Sequence, residues 1–165
     1  VVSDAVAVSR TDAAWRALAD VLDPEVPVLS VLDLGIVRDV VQADDGALEV
    51  TLTPTYSGCP ATEAIEAAVL AALQPLGPVR IETRWAPAWT TDWISEDGQR
   101  KLREYGIAPP GHLVGSATIH VMCRVPCPRC NSSRTERLSA FGATACKALY
   151  RCLDCREPFE HFKPI

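Results

Sequence analysis

Cys127-Pro128-Arg129-Cys130 and Cys152-Leu153-Asp154-Cys155 stand twenty-one residues apart, and this pair of stretches decides the fold of the chain's last part. A two-residue spacer lets both thiolates of one pair reach a single ion at about 2.3 Å, and a second pair completes a tetrahedron of four sulfurs. Zinc is the default ion, although soft thiolates in a tetrahedron also suit a rubredoxin-type iron. Cys127, Cys130, Cys152 and Cys155 are therefore expected to be metal ligands, with zinc in a structural role. Around them, residues 135–139 and 148–151 read as short paired strands, residues 117–122 as a strand leading into the first knuckle, and Phe159 and Phe162 as packing behind the site.

Working outward, the 165 residues allow one ordinary domain and a small appendix, and a 48% hydrophobic content can fill a core. No run of eighteen apolar residues and no basic-then-apolar leader occurs, so neither a membrane span nor a secretory signal is expected. Seven cysteines, four of them at metal spacing, fit a reducing compartment better than a disulfide framework. The expectation is a cytoplasmic protein. Charge is unevenly spread: residues 1–122 carry 8 basic and 17 acidic side chains, residues 123–165 carry 8 and 4. Four thiolates on zinc would add about two negative charges to the basic end, which argues against a nucleic-acid face.

Ser9-Arg10-Thr11-Asp12 has the form of a capping box, with Trp15, Leu18, Ala19 and Leu22 at helical spacing behind it. The helix should stop before Asp23-Pro24-Glu25-Val26-Pro27, because a residue preceding proline is pushed out of the helical region. A strand over residues 36–41, a turn at Asp44-Asp45-Gly46 and a returning strand over 47–52 make a hairpin. Pro60 suits a first helical position, which would place Cys59 at the N-cap of a helix buried through Ile65, Ala68, Val69, Ala72 and Leu73. A third strand over residues 79–84 follows. The fold class is α+β, a small sheet with helices packed on it, followed by a four-cysteine zinc-ribbon-like module. Domain bounds are expected at 1–84 and 117–165. The connecting segment, 85–116, holds Trp85, Trp89 and Trp93, a polar helix over 95–105 and a linker over 111–115.

Outside the knuckles, Cys59 is the first chemical candidate. A lone cysteine in a loop is often a small buried hydrophobe, yet Gly58, Pro60 and the hydroxyls of Thr53, Thr55, Tyr56 and Ser57 could shape a thiolate site for a soft metal or a cluster. Asp23 and Glu25 read either as turn chemistry, which residue type alone favours, or as a metal- or proton-handling pair. Asp33, if buried, must be hydrogen-bonded. Cys123 and Cys146 read as packed or bystander thiols, Cys146 with Lys147 beside it; His112 and His120 read as surface or core residues, and His161 lies near the ribbon. No phosphate loop, hydrolase elbow or His-Glu-x-x-His occurs, so a self-contained hydrolase or kinase has no support and a non-catalytic factor is the expectation.

Asp23-Pro24-Glu25-Val26-Pro27, Asp33-Leu34-Gly35-Ile36-Val37 and Thr53-Pro54-Thr55 with Gly58-Cys59-Pro60 resemble the SufT-like iron-sulfur assembly domain family over residues 12–84. Trp85-Ala86-Pro87-Ala88-Trp89, Gly106-Ile107-Ala108-Pro109-Pro110 and the stretch from Phe141 to Cys152 resemble the PaaD family, accessory subunits of the phenylacetyl-CoA epoxidase system. The first resemblance implies assembly, delivery or repair of iron-sulfur clusters or iron, with Cys59 at the functional position and Asp23 and Glu25 as the acidic motif. The second implies the epoxidase's iron-sulfur reductase and di-iron oxygenase components as partners. One cysteine cannot fill a cluster's shell, so a homodimer or a client must supply the remaining ligands. A rubredoxin-like electron carrier and a structural docking subunit are the competing readings, and no nucleic acid or membrane is expected as a partner.

Overall fold

The computed structural model describes residues 9–111 and 124–165, which form two compact units, one ending at Trp89 and the other beginning at Thr90. The strand expected over 117–122, together with His112, His120 and Cys123, lies outside the described residues. No helix among the described residues is long and apolar enough to cross a membrane.

In the first unit, helix α1 (Arg10–Leu18) starts on the expected capping box: Ser9 Oγ accepts from Asp12 N at 3.0 Å and Asp12 Oδ2 accepts from Ser9 N at 3.3 Å. It ends sooner than the apolar spacing suggests. Leu22 lies beyond it and is 52% exposed, because the chain turns extended and bridges Leu22 to Ser30. Alternation then replaces helical periodicity, so Val21 and Asp23 point inward and Leu22 outward.

Strands β1 (Val37–Gln42) and β2 (Leu48–Leu52) form the expected antiparallel hairpin, with Val40 opposite Val50 and a bulge between Val37 and Asp39. Helix α2 (Thr62–Leu73) carries the chain to β3 (Val79–Thr83), which pairs parallel with β2, Val50 opposite Ile81. The order is β1-β2-β3. Leu48, Val50 and Leu52 of β2 are buried, as are Ile65, Val69 and Leu73 at every fourth position of α2. Burying each such side chain contributes about 1.5–3 kcal/mol.

Two pins hold this unit's turns. Arg10 Nε donates to Leu76 O at 2.5 Å and its Nη1 donates to Gly46 O, so one side chain ties α1 to the turns before β2 and before β3. Trp89 Nε1 donates to Leu34 O at 2.9 Å and the indole is buried, whereas Trp85 is exposed and Trp93 half-buried in the other unit.

The second unit opens with a 3-10 turn (Thr91–Trp93) and helix α3 (Glu96–Tyr105), capped by Ser95 Oγ and closed by Gly106 in the left-handed region. Strands β4 (Ile107–Ala108), β5 (Thr135–Ser139), β6 (Lys147–Cys152) and β7 (Pro158–Phe162) form one sheet in the order β4-β7-β6-β5. The expected β5–β6 pair is present, and the sheet adds two strands to it. β7 pairs antiparallel with β6 and parallel with β4. Ala108, Val125, Cys127, Cys152 and Phe159 make a small core with Tyr150 against it. Lys147, buried, pairs with Glu160 at 2.8 Å, and Cys146 lies 3.0 Å from Thr144 Oγ1.

Gly77 has φ +119, and a Cβ there would collide with the guanidinium of Arg10, whereas Gly46 at φ +82 has open space. Gly77→Ala should therefore destabilise the protein by about 1–3 kcal/mol, and more than Gly46→Ala, in urea unfolding. His161 is buried, and its Nδ1 has no hydrogen-bond partner among the described residues. Desolvation pushes the imidazole from 6.5 down to about 4. The unfolded chain thus takes up this proton first, and the stability that neutral His161 allows is intact above its unfolded pKa and falls as pH drops from about 6.5 toward 4. Relative to the parent protein, His161→Phe should gain about 2 kcal/mol between pH 7 and 4.5 in matched urea titrations.

Candidate functional site

Local backbone geometry builds the four-sulfur cluster. Cys127 N donates to Ser132 O at 2.9 Å and Cys152 N donates to Glu157 O at 3.0 Å, so each knuckle is closed over the same five-residue span. The residue after each second cysteine is left-handed, Asn131 at φ 60 and Arg156 at φ 64. Asn tolerates that conformation better than Arg does. Asp154 joins the knuckles, accepting from Arg134 Nη1 at 2.7 Å and from Ser132 Oγ, while Leu153 N donates to Arg134 O at 2.8 Å.

The Sγ atoms of Cys127, Cys130, Cys152 and Cys155 all lie within 4.8 Å of one another. Cys127 Sγ is 3.7 Å from Cys155 Sγ, and Cys130 Sγ is 3.5 Å from Cys152 Sγ. A tetrahedral ion with bonds of about 2.3 Å needs sulfur separations of about 3.8 Å, so the donor set and its spacing fit such an ion. Burial works against the Cys152 thiolate, but the backbone N–H groups of Cys155 and Asp154 outweigh it and bring the thiol down to about 6 from 9.0. The N–H of Glu157 favours the Cys155 thiolate, yet burial and the three neighbouring sulfurs push that thiol up to about 12. Without a cation four crowded sulfurs resist sharing negative charge; a dication removes that conflict.

The second feature is a narrow pocket in the first unit, lined by Asp23, Ile36, Leu52, Pro54, Thr55, Cys59, Thr62, Ile65 and Glu66. Cys59 and Asp23 thus share one pocket, whereas Glu25 is not among its lining residues. Cys59 is half-buried and is not the N-cap: α2 begins at Thr62 with Ala61 as its cap, and Cys59 O accepts from Thr62 N at 3.2 Å in the turn before it. Pro60 therefore lies in that turn rather than in the first helical position.

Asp23 Oδ1 accepts from Glu25 N at 2.8 Å and Val26 N at 2.7 Å, which makes the Asp-Pro-Glu segment a side-chain-closed turn. Asp33 is buried, as its apolar neighbours suggest, and its Oδ2 accepts from Ser30 N and Ser30 Oγ, both at 2.9 Å. Sequence motifs do not single out Glu66, whose Oε1 accepts from Thr83 Oγ1 at 2.7 Å beside the pocket. Its spacing from Thr62 and Ile65, which places all three on one face of α2, is the signal that could find it. Among the described residues, only the four clustered cysteines form a group of three or more ligands close enough to share one ion.

Similarity to known proteins divides along the same lines. A family described as an iron-sulfur cluster assembly protein matches residues 11–82, and the PaaD zinc beta ribbon domain matches residues 115–163. A protein of Escherichia coli (strain K12) that is named as a 1,2-phenylacetyl-CoA epoxidase subunit is 51% identical over 154 residues, covering 92% of this chain and 91% of that protein. The Fe-S protein maturation auxiliary factor YitW of Bacillus subtilis (strain 168) is 39% identical over 82 residues, 48% of this chain and 79% of that protein. The crystal structure of a domain of unknown function, DUF59, from Bacillus anthracis matches with a TM-score of 0.53 at 26% identity, covering 56% of this chain and 91% of that one. With a relative at this identity along nearly its whole length, the chain belongs to the PaaD family, an iron-sulfur assembly domain followed by a zinc beta ribbon.

Proposed function

We propose that this protein is a non-catalytic maturation factor that delivers iron or an iron-sulfur cluster to a component of a phenylacetyl-CoA epoxidase system. The observation that carries this reading is the isolation of Cys59. Its thiol lines a pocket, yet Cys59 belongs to no group of three or more close ligands among the described residues. A lone thiolate cannot keep a cluster, which needs four ligands, but it can hold one end of a cargo whose other ligands come from a second copy or from the recipient. Such an incomplete site suits transfer better than storage. Asp23 and Glu66 serve it as acidic neighbours, Asp23 mainly by fixing the turn that forms one wall, and Glu25 contributes through that turn, where its N–H donates to Asp23.

The ribbon has a different task in this reading. Cys127, Cys130, Cys152 and Cys155 would hold a structural zinc ion, which supplies a closed shell with no position for water or substrate. The ion orders the module that meets the partner. The iron-sulfur reductase is the preferred client and the oxygenase the alternative, because the PaaD relative carries the name of an epoxidase subunit and the shorter relatives are named for iron-sulfur maturation.

Cys59→Ser should keep the fold and the ribbon metal while lowering the rate of cluster transfer to the reductase's apoprotein at least about tenfold, the scale on which metal-site changes act. The assay is anaerobic reconstitution with iron and sulfide followed by recovery of the reductase's visible absorbance. Equal transfer by both proteins would reject the role of Cys59. Elemental analysis should find one zinc per chain, colourless in visible light, and Cys152→Ser should lose it. Since binding a structural zinc contributes on the order of 10 kcal/mol to folding, loss of the ion should collapse amide dispersion in residues 124–165 and leave that of residues 9–89 in place. A red protein containing iron in place of zinc would favour the rubredoxin-like reading.

A further inference from the structure

The ribbon carries a second feature that its metal chemistry does not use. Arg124, Ser133, Arg134, Thr135 and Leu153 surround an open cavity of about 250 Å³ beside the second knuckle. Arg134 gives Nη1 to Asp154 Oδ1 at 2.7 Å, which fixes the side chain while the rest of its five-donor fork stays available among the described residues. Arg124 is exposed and pairs with no carboxylate among the described residues. Thr135 Oγ1 is committed to Val125 O at 2.7 Å, so among the described residues the two guanidinium groups and the Ser133 hydroxyl are the side-chain donors that remain.

We infer that this cavity binds a carboxylate presented by an acidic protein partner. A planar guanidinium fork matches a carboxylate through two parallel hydrogen bonds. Leu153, 42% exposed, offers an apolar wall beside that fork for the methylene groups of a glutamate or for the residue at a chain end. Two guanidinium groups and one hydroxyl suit a single carboxylate rather than the several phosphates of a nucleotide or a coenzyme. Nucleic acid is the weaker alternative. It needs many cations along a backbone, whereas the surplus of 8 basic over 4 acidic side chains in residues 123–165 is small once four thiolates on a dication are counted, and Arg134, Lys147 and Arg151 are each paired with a carboxylate. The inference goes beyond the delivery reading and does not rest on Cys59: a carboxylate site on the ribbon would stand even if Cys59 proved inert.

The test uses the full chain, zinc-loaded and isotopically labelled, and three capped peptides. Acetyl-Ala-Glu-Ala-amide carries its carboxylate on a side chain, acetyl-Ala-Ala-Leu carries it at the chain end, and acetyl-Ala-Gln-Ala-amide carries none. At least one of the first two should give saturable amide shifts at Ser133, Arg134, Thr135 and Leu153, with a dissociation constant on the order of millimolar. The stronger of the two names the source of the carboxylate, and the glutamine peptide should give no saturation. Arg124→Gln, which leaves the Arg134–Asp154 pair intact, should weaken binding about tenfold, the scale of one charge-assisted hydrogen bond. Absence of saturation with both acidic peptides, an equal response to the glutamine peptide, or undiminished binding by folded Arg124→Gln would overturn the proposal. So would a single-stranded oligonucleotide that moves the same amides at lower concentration than either peptide.

Discussion

Four sulfur atoms held within 4.8 Å of one another are the constraint on which the second unit depends. Its buried cluster around the knuckles contains Ala108, Val125, Cys127, Cys152 and Phe159, and two of those five are themselves members of the four-cysteine set. Leu102, Ile107 and Phe162 are buried elsewhere in the unit, but the cluster at the knuckles alone does not offset the conformational entropy of ordering four strands, and small modules ordinarily need a metal or disulfides. The backbone is arranged to receive a metal: both knuckles are closed by matching hydrogen bonds, and Arg156 accepts a left-handed conformation that a non-glycine residue normally avoids. Local strain of this kind persists where surrounding contacts over-determine it. Here those contacts include Asp154, which reaches back to Ser132 and Arg134.

The pocket beside Cys59 follows the opposite logic. Its walls come from several elements, Ile36 just before β1, Leu52 on β2, and Thr62, Ile65 and Glu66 on α2, so its shape belongs to a rigid sheet-and-helix frame. Within that frame two of the acidic side chains are already engaged. Asp23 is committed to the backbone of its own turn and Glu66 to Thr83. A site meant to retain a metal would release such groups toward a common point; one that meets its cargo together with another protein need not. The two units thus carry contrasting thiol chemistry, four sulfurs that can satisfy one ion completely and one sulfur that cannot.

What was legible in the sequence was what is local in space. The cysteine knuckles could be read because two intervening residues fix the bite of each pair, and the start of α1 because Ser9 and Asp12 satisfy each other across one turn. The hairpin turn at Gly46 carried its own signature in the same way. Features decided by distant partners stayed hidden. α1 stops at Leu18 ahead of the bridge from Leu22 to Ser30, β7 is a strand because β4 and β6 flank it, and β4 is two residues long with its partner some fifty residues away. Cys59 falls outside α2 for a related reason. Ala61 caps α2 without a side-chain hydrogen bond, so no local residue marks the boundary, and Pro60 resembles a first helical residue while lying in the turn before it.

The buried polar residues extend that lesson to function. Asp33 and Lys147 both lie where an unpaired charge would be costly, and each is satisfied: Asp33 by Ser30 three residues away, Lys147 by Glu160 on the adjacent strand. The proximity of Lys147 to Cys146 in sequence suggests an activated thiol, yet the ammonium group is engaged by Glu160 and the sulfur lies beside Thr144. Cys146 lies in the turn before β6 and Lys147 is the first residue of that strand, so adjacency in sequence is poor grounds for expecting the two groups to act on each other. Cys59 and Glu66 show the converse, seven residues apart across a turn and the first part of α2, yet lining the same pocket. Candidate chemistry in this chain is therefore better sought among residues that share a helical face or a turn than among those that are consecutive.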